Sequence, residues 1–403
     1  MLLLLFACNG PDPKPVDSVT ADITWYGDVE PLVYEKCSAC HTSNGVGGAD
    51  LTAYDIASER GELVAAYVEA GEMPLPAADP TCRTYVGHER MNLSEDERAA
   101  LIDWGRGGTP RGDEADRSEG LEVPNVTLPD TDAELPMFEA HELELEANGN
   151  EYYCMVLDNP FTETTYVTGL DVALGTREVV HHMVLAIDQG KDAGIEYGTD
   201  GTERQFSCKD PVVESDWMLV HAWTPGMEPV EFPEGMGLKI EPDDQLVLQM
   251  HYFGDPDEAY TDLSAYKLRT TDSIETEVGM FAFGPTNFVI EAGDAESRAM
   301  DGWKNNGFGD VTVLGAFPHM HLLGSRFESW IAEDEGGETC LIEGEYDFDH
   351  QMTYMFEEPV TWGDGDTLRF RCTWDNSQGT SDVTYGEGTD EEMCFMLFYY
   401  AFE

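Results

Sequence analysis

At 403 residues, 41% of them hydrophobic, the chain reads as globular and long enough for two or three domains, each burying its own core. Its 81 acidic against 21 basic residues leave a formal charge of -60, which excludes nucleic acid and anionic membrane surfaces as partners because both would repel it. A charge of this size keeps a protein soluble, and suits either a high-salt habitat or storage of divalent cations on the surface.

The chain opens MLLLLFACNG. Leu2 to Phe6 form a short apolar run ending at Ala7-Cys8, which resembles a bacterial lipoprotein cleavage box with Cys8 as the lipidated residue, although a basic n-region is missing and the apolar stretch is short. No other run approaches the roughly 18 apolar residues that span a bilayer. The expectation is therefore an exported protein of the bacterial cell envelope, periplasmic or on the outer surface, touching a membrane only through the lipid. Residues 1–21 would be signal and tether.

Residues 22–110 read as a small all-α domain. Ile56 to Ala70 has helical spacing, and Ser94 to Glu97 is a capping box opening a helix that carries Leu101, Ile102 and Trp104 and stops at Gly105. Within this domain Cys37-Ser38-Ala39-Cys40-His41 has the spacing of covalent c-type haem attachment, with two thiols for the vinyl groups and His41 as an axial ligand. A redox or zinc cysteine pair is the other reading. Met73, in Gly71-Glu72-Met73-Pro74, is the expected sixth ligand, with Met91 and His88 as alternatives. The domain is accordingly expected to be a cytochrome c. Residues 111–135, acidic and rich in proline and glycine, read as an interdomain linker.

From about 136 the apolar period becomes two. Leu246, Leu248 and Met250 alternate with Val247, Gln249 and His251, and Leu368, Phe370 and Cys372 alternate with Arg369, Arg371 and Thr373. Short strands with acidic turns over this length predict two antiparallel sandwiches side by side, 136–268 and 269–403. Each half carries a histidine pair. His319 and His321, two apart on a strand, share a face about 7 Å apart and can clamp one ion. His181 and His182 would point to opposite faces of a regular strand, and share a metal only at a bulge or strand end. Adding His251 to one pair and Met393 to the other gives a three-histidine set and a two-histidine, one-methionine set. Imidazole suits copper in both oxidation states and a thioether favours Cu(I).

The stretches VVHHMVLAI (179–187), HAWTPGMEPVEFPEGMGLKI (221–240), LVLQMHYFGD (246–255), GAFPHMHLLG (315–324) and DEEMCFMLFYY (390–400) resemble, in order and separation, the copper type II ascorbate-dependent monooxygenases, the family of peptidylglycine alpha-hydroxylating and dopamine beta-monooxygenases. The resemblance implies two jelly-roll-like domains with two copper ions facing across a solvent-filled cleft. His181, His182 and His251 would hold the electron-transfer copper; His319, His321 and Met393 would hold the copper where O2 binds and substrate is hydroxylated. Gln249 matches a family position near the first copper, though a polar residue on a half-exposed strand face would look the same. The family's disulfides suggest Cys372 with Cys394 and Cys154 with Cys208. With Cys8, Cys37 and Cys40 assigned, Cys82 and Cys340 remain, either bridged between the domains or unpaired. His88, His141, His221 and His350 match no motif and are expected to be surface or packed residues.

Where peptide-amidating members carry an arginine that grips the substrate carboxylate, this chain has Phe317, and Phe395 and Leu397 replace polar residues after the ligand methionine and cysteine. Losing a bidentate charge partner removes carboxylate recognition. The expected function is thus hydroxylation of a C–H bond of a small, apolar or aromatic, non-peptide substrate with O2. Electrons would come from ascorbate, or through haem whose tether of about 25 residues, with coil dimensions of roughly 25–30 Å, would reach the histidine-only copper. The alternative is a copper electron-transfer or redox-storage protein without turnover.

Overall fold

A computed structural model of the chain describes residues 23–403 except 44, 46, 125–126, 148, 191–204, 208–216, 349, 387–390 and 403. The expected lipidation site Cys8, the tether 1–21 and Cys208 lie outside the described residues. Among the described residues no helix is long and apolar enough to cross a membrane.

The N-terminal unit is helical. Ser94 caps the helix Glu95–Arg106 through a full capping box, and Leu101 and Trp104 face inward. Trp104 packs against Trp25 with ring centroids 5.3 Å apart, in a core shared with Val29, Val33, Leu51 and Val68. The helical spacing of 56–70 resolves into two helices, Tyr54–Glu59 and Gly61–Ala70. Gly105 does not end its helix, which runs on to Arg106. A Cβ on Gly105 would lie 2.2 Å from the Gly61 carbonyl oxygen, so this glycine lets two helices touch backbone to backbone.

Among the described strands the rest is antiparallel β with one parallel pairing, which joins its halves. A five-stranded sheet runs Gln205–Ser207, Asn150–Leu157, Gln245–Phe253, Val180–Asp188, Trp217–Trp223. A four-stranded sheet runs Ser297–Lys304, Thr367–Trp374, Gly324–Ala332, Glu338–Glu345. Both lean on one nine-stranded sheet that passes through both halves of the molecule. The seam is a parallel pairing in which Thr276, Glu277 and Val278 lie opposite Met236, Gly237 and Leu238. The expected boundary at 268/269 falls inside the strand Ala265–Thr271, which pairs wholly with N-terminal strands. The half-boundary belongs a few residues later, in the turn before Thr276–Phe283.

Period two fails informatively in Gln245–Phe253. Leu246, Leu248 and Met250 are fully buried in the main core, but Val247, Gln249 and His251 are also buried, at 1%, 5% and 3% exposure. The second face of this sheet is covered too, so Gln249 does not sit on a half-exposed face.

The expected free linker is laid down on the protein. Arg117 makes a paired contact with the buried Glu30 carboxylate at 2.9 and 2.8 Å, Arg111 Nε donates to Tyr26 Oη, and the Leu128 N–H donates to Asp171 at 2.9 Å. A second strap, residues 78–91, runs from the helical unit along the C-terminal sandwich. Its Asp79 and Val86 N–H groups donate to the carbonyls of Glu343 and Met355, Tyr85 stacks edge-on against Tyr354, and Cys82 is disulfide-bonded to Cys340. Of the two readings of that cysteine pair, the bridge is the one realised.

Candidate copper centres

The first centre is built by a register slip. His251 lies opposite His182, but its neighbour Tyr252 lies opposite Val180, so His181 is the extra residue of a bulge. The bulge brings adjacent histidines to one side, as their spacing required. The ligand atoms of His181, His182 and His251 lie within 4.8 Å of one another, with Nδ1 of His182 3.4 Å from that of His181 and 3.3 Å from that of His251. Three ring nitrogens converging this closely is an arrangement a cation would stabilise. On its far side, His251 Nε2 donates to Asn150 Oδ1 at 2.8 Å, and Tyr152 stacks flat on its ring at 4.0 Å, fixing tautomer and orientation. Desolvation first, then the neighbouring imidazoles, hold His182 well below the usual histidine range and His251 at about 3. Both rings are neutral at pH 7, as metal ligation requires.

The second centre sits at a strand end. His319 closes the strand Val311–His319 and His321 follows, their rings 5.3 Å apart and nearly perpendicular. Here Nδ1 is engaged on both rings: His319 Nδ1 donates to Gln351 Oε1 at 2.7 Å and His321 Nδ1 to the Glu391 carbonyl at 3.2 Å. That leaves each Nε2 for a metal. Burial holds His319 at about 4. Met393, 1% exposed, precedes Cys394, whose disulfide to Cys372 ties it to the strand Thr367–Trp374. The residue that assembles this end is Glu392. Fully buried, its carboxylate accepts from the His321 N–H at 2.9 Å, the Leu323 N–H at 2.6 Å and Trp374 Nε1 at 2.9 Å. It therefore pins the histidine turn to the methionine. Burial nonetheless raises its carboxyl above the usual range.

Both sets open on one cavity of about 560 Å³, lined by His182 and Gln249 from one side and His319, His321 and Met393 from the other. His319 is close enough to contribute to the depression of His182. Phe317, Phe395 and Leu397 line the same cavity, and Phe317 clusters with Val184, Leu219 and Ala222 of the first half. The wall is thus apolar and drawn from both sandwiches.

Sequence reasoning missed Glu392 and Gln351, while His350 is packed as expected. Gln351 and His350 lie on the turn after Glu338–Glu345, which also packs Phe348 against His321 and bonds Thr353 to the Ala222 carbonyl. His350 is 4% exposed, leaves Nε2 without a hydrogen-bond partner, and feels His181. The other histidines are packed as expected: His88 beside Glu357, His141 stacked on Tyr153, His221 against Tyr266.

In the helical unit Cys37 and Cys40 are free thiols on one turn, with the Cys40 and His41 N–H groups both donating to the Cys37 carbonyl. Burial pushes the Cys37 thiol up to about 12. His41 Nδ1 is buried without a hydrogen-bond partner, and a Cβ on Gly47 would lie 2.4 Å from it, so backbone closes directly over the ring. Two free thiols one turn apart beside a constrained imidazole fit thioether attachment of haem. Met73 lies half-buried in the loop after Gly61–Ala70, before a cis peptide to Pro74. Cys154 is disulfide-bonded.

Residues 137–258 match the N-terminal domain of the copper type II ascorbate-dependent monooxygenases, and residues 304–403 their C-terminal domain. Together these spans exceed half the chain, and each contains one ligand set. The chain is 22% identical over 270 residues to peptidyl-glycine alpha-amidating monooxygenase A of Xenopus laevis, covering 62% of this chain and 26% of that protein. It is 22% identical over 279 residues to tyramine beta-hydroxylase of Caenorhabditis briggsae, covering 62% of this chain and 45% of that protein. It therefore spans less than half the length of these relatives. Among solved structures, the major capsid protein P2 from bacteriophage PM2 aligns over 65% of this chain and 97% of its own, at 11% identity and a TM-score of 0.24, too low to inform the architecture. Two domain matches in family order, each spanning one converged ligand set, show that the chain belongs to the copper type II ascorbate-dependent monooxygenase family.

Proposed function

We propose that this protein is a copper monooxygenase that hydroxylates a C–H bond of a small, apolar or aromatic, non-peptide substrate with O2. The observation that carries this is the single cavity onto which both ligand sets open. Bound there, two copper ions supply the one-electron steps and the O2 chemistry that the side chains lack. His181, His182 and His251 hold the electron-transfer ion, and His319, His321 and Met393 the ion at which O2 and substrate meet.

The protein's own contribution is orientation and exclusion of water. Asn150 and Tyr152 fix His251, Gln351 fixes His319, and Glu392 with the Cys372–Cys394 bridge fixes His321 and Met393. Phe317, Phe395 and Leu397 give the substrate an apolar surface, and a cavity of about 560 Å³ lies within the range of small-molecule sites. No cation replaces the missing arginine among these wall residues, so a substrate carboxylate finds no partner.

Electrons would come from ascorbate, or from a c-type haem that Cys37 and Cys40 would attach and that His41 and Met73 would ligate. Disulfides at Cys82–Cys340 and Cys372–Cys394 support an oxidising, exported location, in keeping with lipidation at Cys8. The test is oxygen uptake by copper-loaded protein against a panel of aromatic and aliphatic compounds with reductant fixed. Substrate-dependent uptake with hydroxylated product is expected. Copper cycling without product would instead establish a redox-storage role, and turnover of glycine-extended peptides would overturn the substrate class.

A further inference from the structure

The helical unit meets the first sandwich at one small junction, and the haem motif is in it. A Cβ on Gly226 would lie 3.7 Å from Met91 Sδ and 4.0 Å from Cys40 Sγ. The Cys40 sulfur thus lies within van der Waals reach of the turn that follows strand Trp217–Trp223, a turn whose φ of 92° at Gly226 favours glycine. Beside this contact Arg90 is ion-paired with Glu228, each side chain 16% exposed. A Cβ on Gly87 would lie 2.7 Å from Glu228 Cγ, so the strap is shaped around that carboxylate. Arg177 completes the junction, near enough to act on Cys40 together with Arg90.

Both copper-domain segments at this junction lead to the all-histidine centre. Arg177 lies four residues before His181 on the same stretch of chain. Gly226 lies three residues after Trp223, which is paired across the ladder with Met183, the neighbour of His182. Three residues span at most about 10 Å and paired strands lie roughly 5 Å apart, so the backbone path is short. The strap's bonds to the other sandwich, at Cys340, Glu343 and Met355, involve none of His319, His321 and Met393.

We propose that this junction is a fixed electron entry, in which haem attached through Cys40 reduces the copper of His181, His182 and His251 across the Gly226 turn, with Arg90 and Glu228 as the clamp that holds the two units in register. The inference rests on the haem and copper assignments above. In each transfer ferrous haem gives one electron to Cu(II), leaving ferric haem and Cu(I), with no proton moved; a small-molecule reductant such as ascorbate restores the ferrous state. A swinging tether is not needed, because the strap and the Cys82–Cys340 bridge already hold the donor in place.

The experiment uses full-length holoprotein with reduced haem, mixed anaerobically with Cu(II), and follows haem reoxidation by its visible absorbance and loss of the Cu(II) electron paramagnetic resonance signal. Reoxidation is expected at a rate independent of protein concentration. Glu228→Arg should slow it several-fold, because like charges then push the Cys40 face away from the Gly226 turn while the strap and the Cys82–Cys340 bridge keep the units tethered, and the swap Arg90→Glu/Glu228→Arg should restore it. His251→Ala should leave the haem reduced. A rate proportional to protein concentration, no effect of Glu228→Arg, or wild-type reoxidation in His251→Ala would each overturn the route while leaving the haem assignment intact. Protein that carries no covalent haem would overturn the haem assignment and the route with it.

Discussion

The two candidate copper centres of this molecule are assembled by different means. At the all-histidine centre the sheet does the work: a bulge in the ladder sets His181 beside His182, and His251 is held opposite by backbone pairing. At the second centre the ligands leave the sheet, and a buried carboxylate, a disulfide and a glutamine hold them. The ring nitrogens follow suit, with Nδ1 turned inward at the first and engaged outward at the second. Rigidity inherited from a ladder suits the electron-transfer role proposed for the first centre. A site hung from side chains can be tuned, and can be broken, one contact at a time.

The largest effect should come from Met393→Ala. Removing a ligand should exceed the 10- to 100-fold loss typical of outer contacts, so product formation should fall by more than about 100-fold while copper analysis shows the all-histidine ion retained. Loss of both ions would mean that the centres are not independently built. Glu392→Ala leaves three buried donors unpaired, at roughly 1–3 kcal/mol each when fully desolvated. A fall of at least about 3 kcal/mol in denaturant stability is expected, with copper lost selectively from His319 and His321. Opening the 22-residue Cys372–Cys394 loop through Cys372→Ala/Cys394→Ala should cost about 3 kcal/mol, and the same denaturation experiment reads it. If neither change spares the first centre, the contrast in construction is wrong.

Acid should act on metal-free protein through the buried ligand histidines and, outside both ligand sets, through His221 and His350. Burial holds His221 at about 3 and His350 at about 4, against an ordinary value of 6.5. Each folded-state value is depressed, so the unfolded chain binds the proton first. The stabilisation is complete above about pH 6.5 and is lost as pH falls toward 4 and then 3, at up to about 1.4 kcal/mol per pH unit for each histidine. Equilibrium unfolding at pH 7 and pH 5 checks it, and a His221→Gln/His350→Gln variant should show a shallower slope. The smallest effect belongs to Gln351→Ala, which frees His319 Nδ1 and should weaken copper there about tenfold without moving the first centre. Competitive chelator titration would decide it.

Much of this was legible in the chain. The spacing of His319 and His321 announces a shared face, and the adjacency of His181 and His182 demands the bulge that the register contains. The capping box at Ser94 marks a helix start that local hydrogen bonds alone determine. What stayed hidden depends on contacts far apart in sequence. Cys82 and Cys340 are 258 residues apart, and nothing local tells a bridged cysteine from a free one. Glu392 reads as one more acid in an acidic chain until Trp374 and the His321 turn close around it. Gly105 reads as a helix stop because its role, touching Gly61, lies on a different helix. The linker's composition spoke for coil, but Arg117 found Glu30 and Leu128 found a core.

The parallel seam between Met236–Ile240 and Thr276–Phe283 makes the spacing of the two candidate metal sites a matter of sheet geometry. Two sandwiches joined by a peptide alone could hinge, and each turnover would have to find the right separation again. Here a hinge would have to unzip backbone pairs at Thr276, Glu277 and Val278, in a sheet whose neighbouring strands sit about 4.8 Å apart. The molecule has a common floor beneath both candidate sites, and the proposed catalysis on it becomes a problem of fixed distance rather than of domain closure.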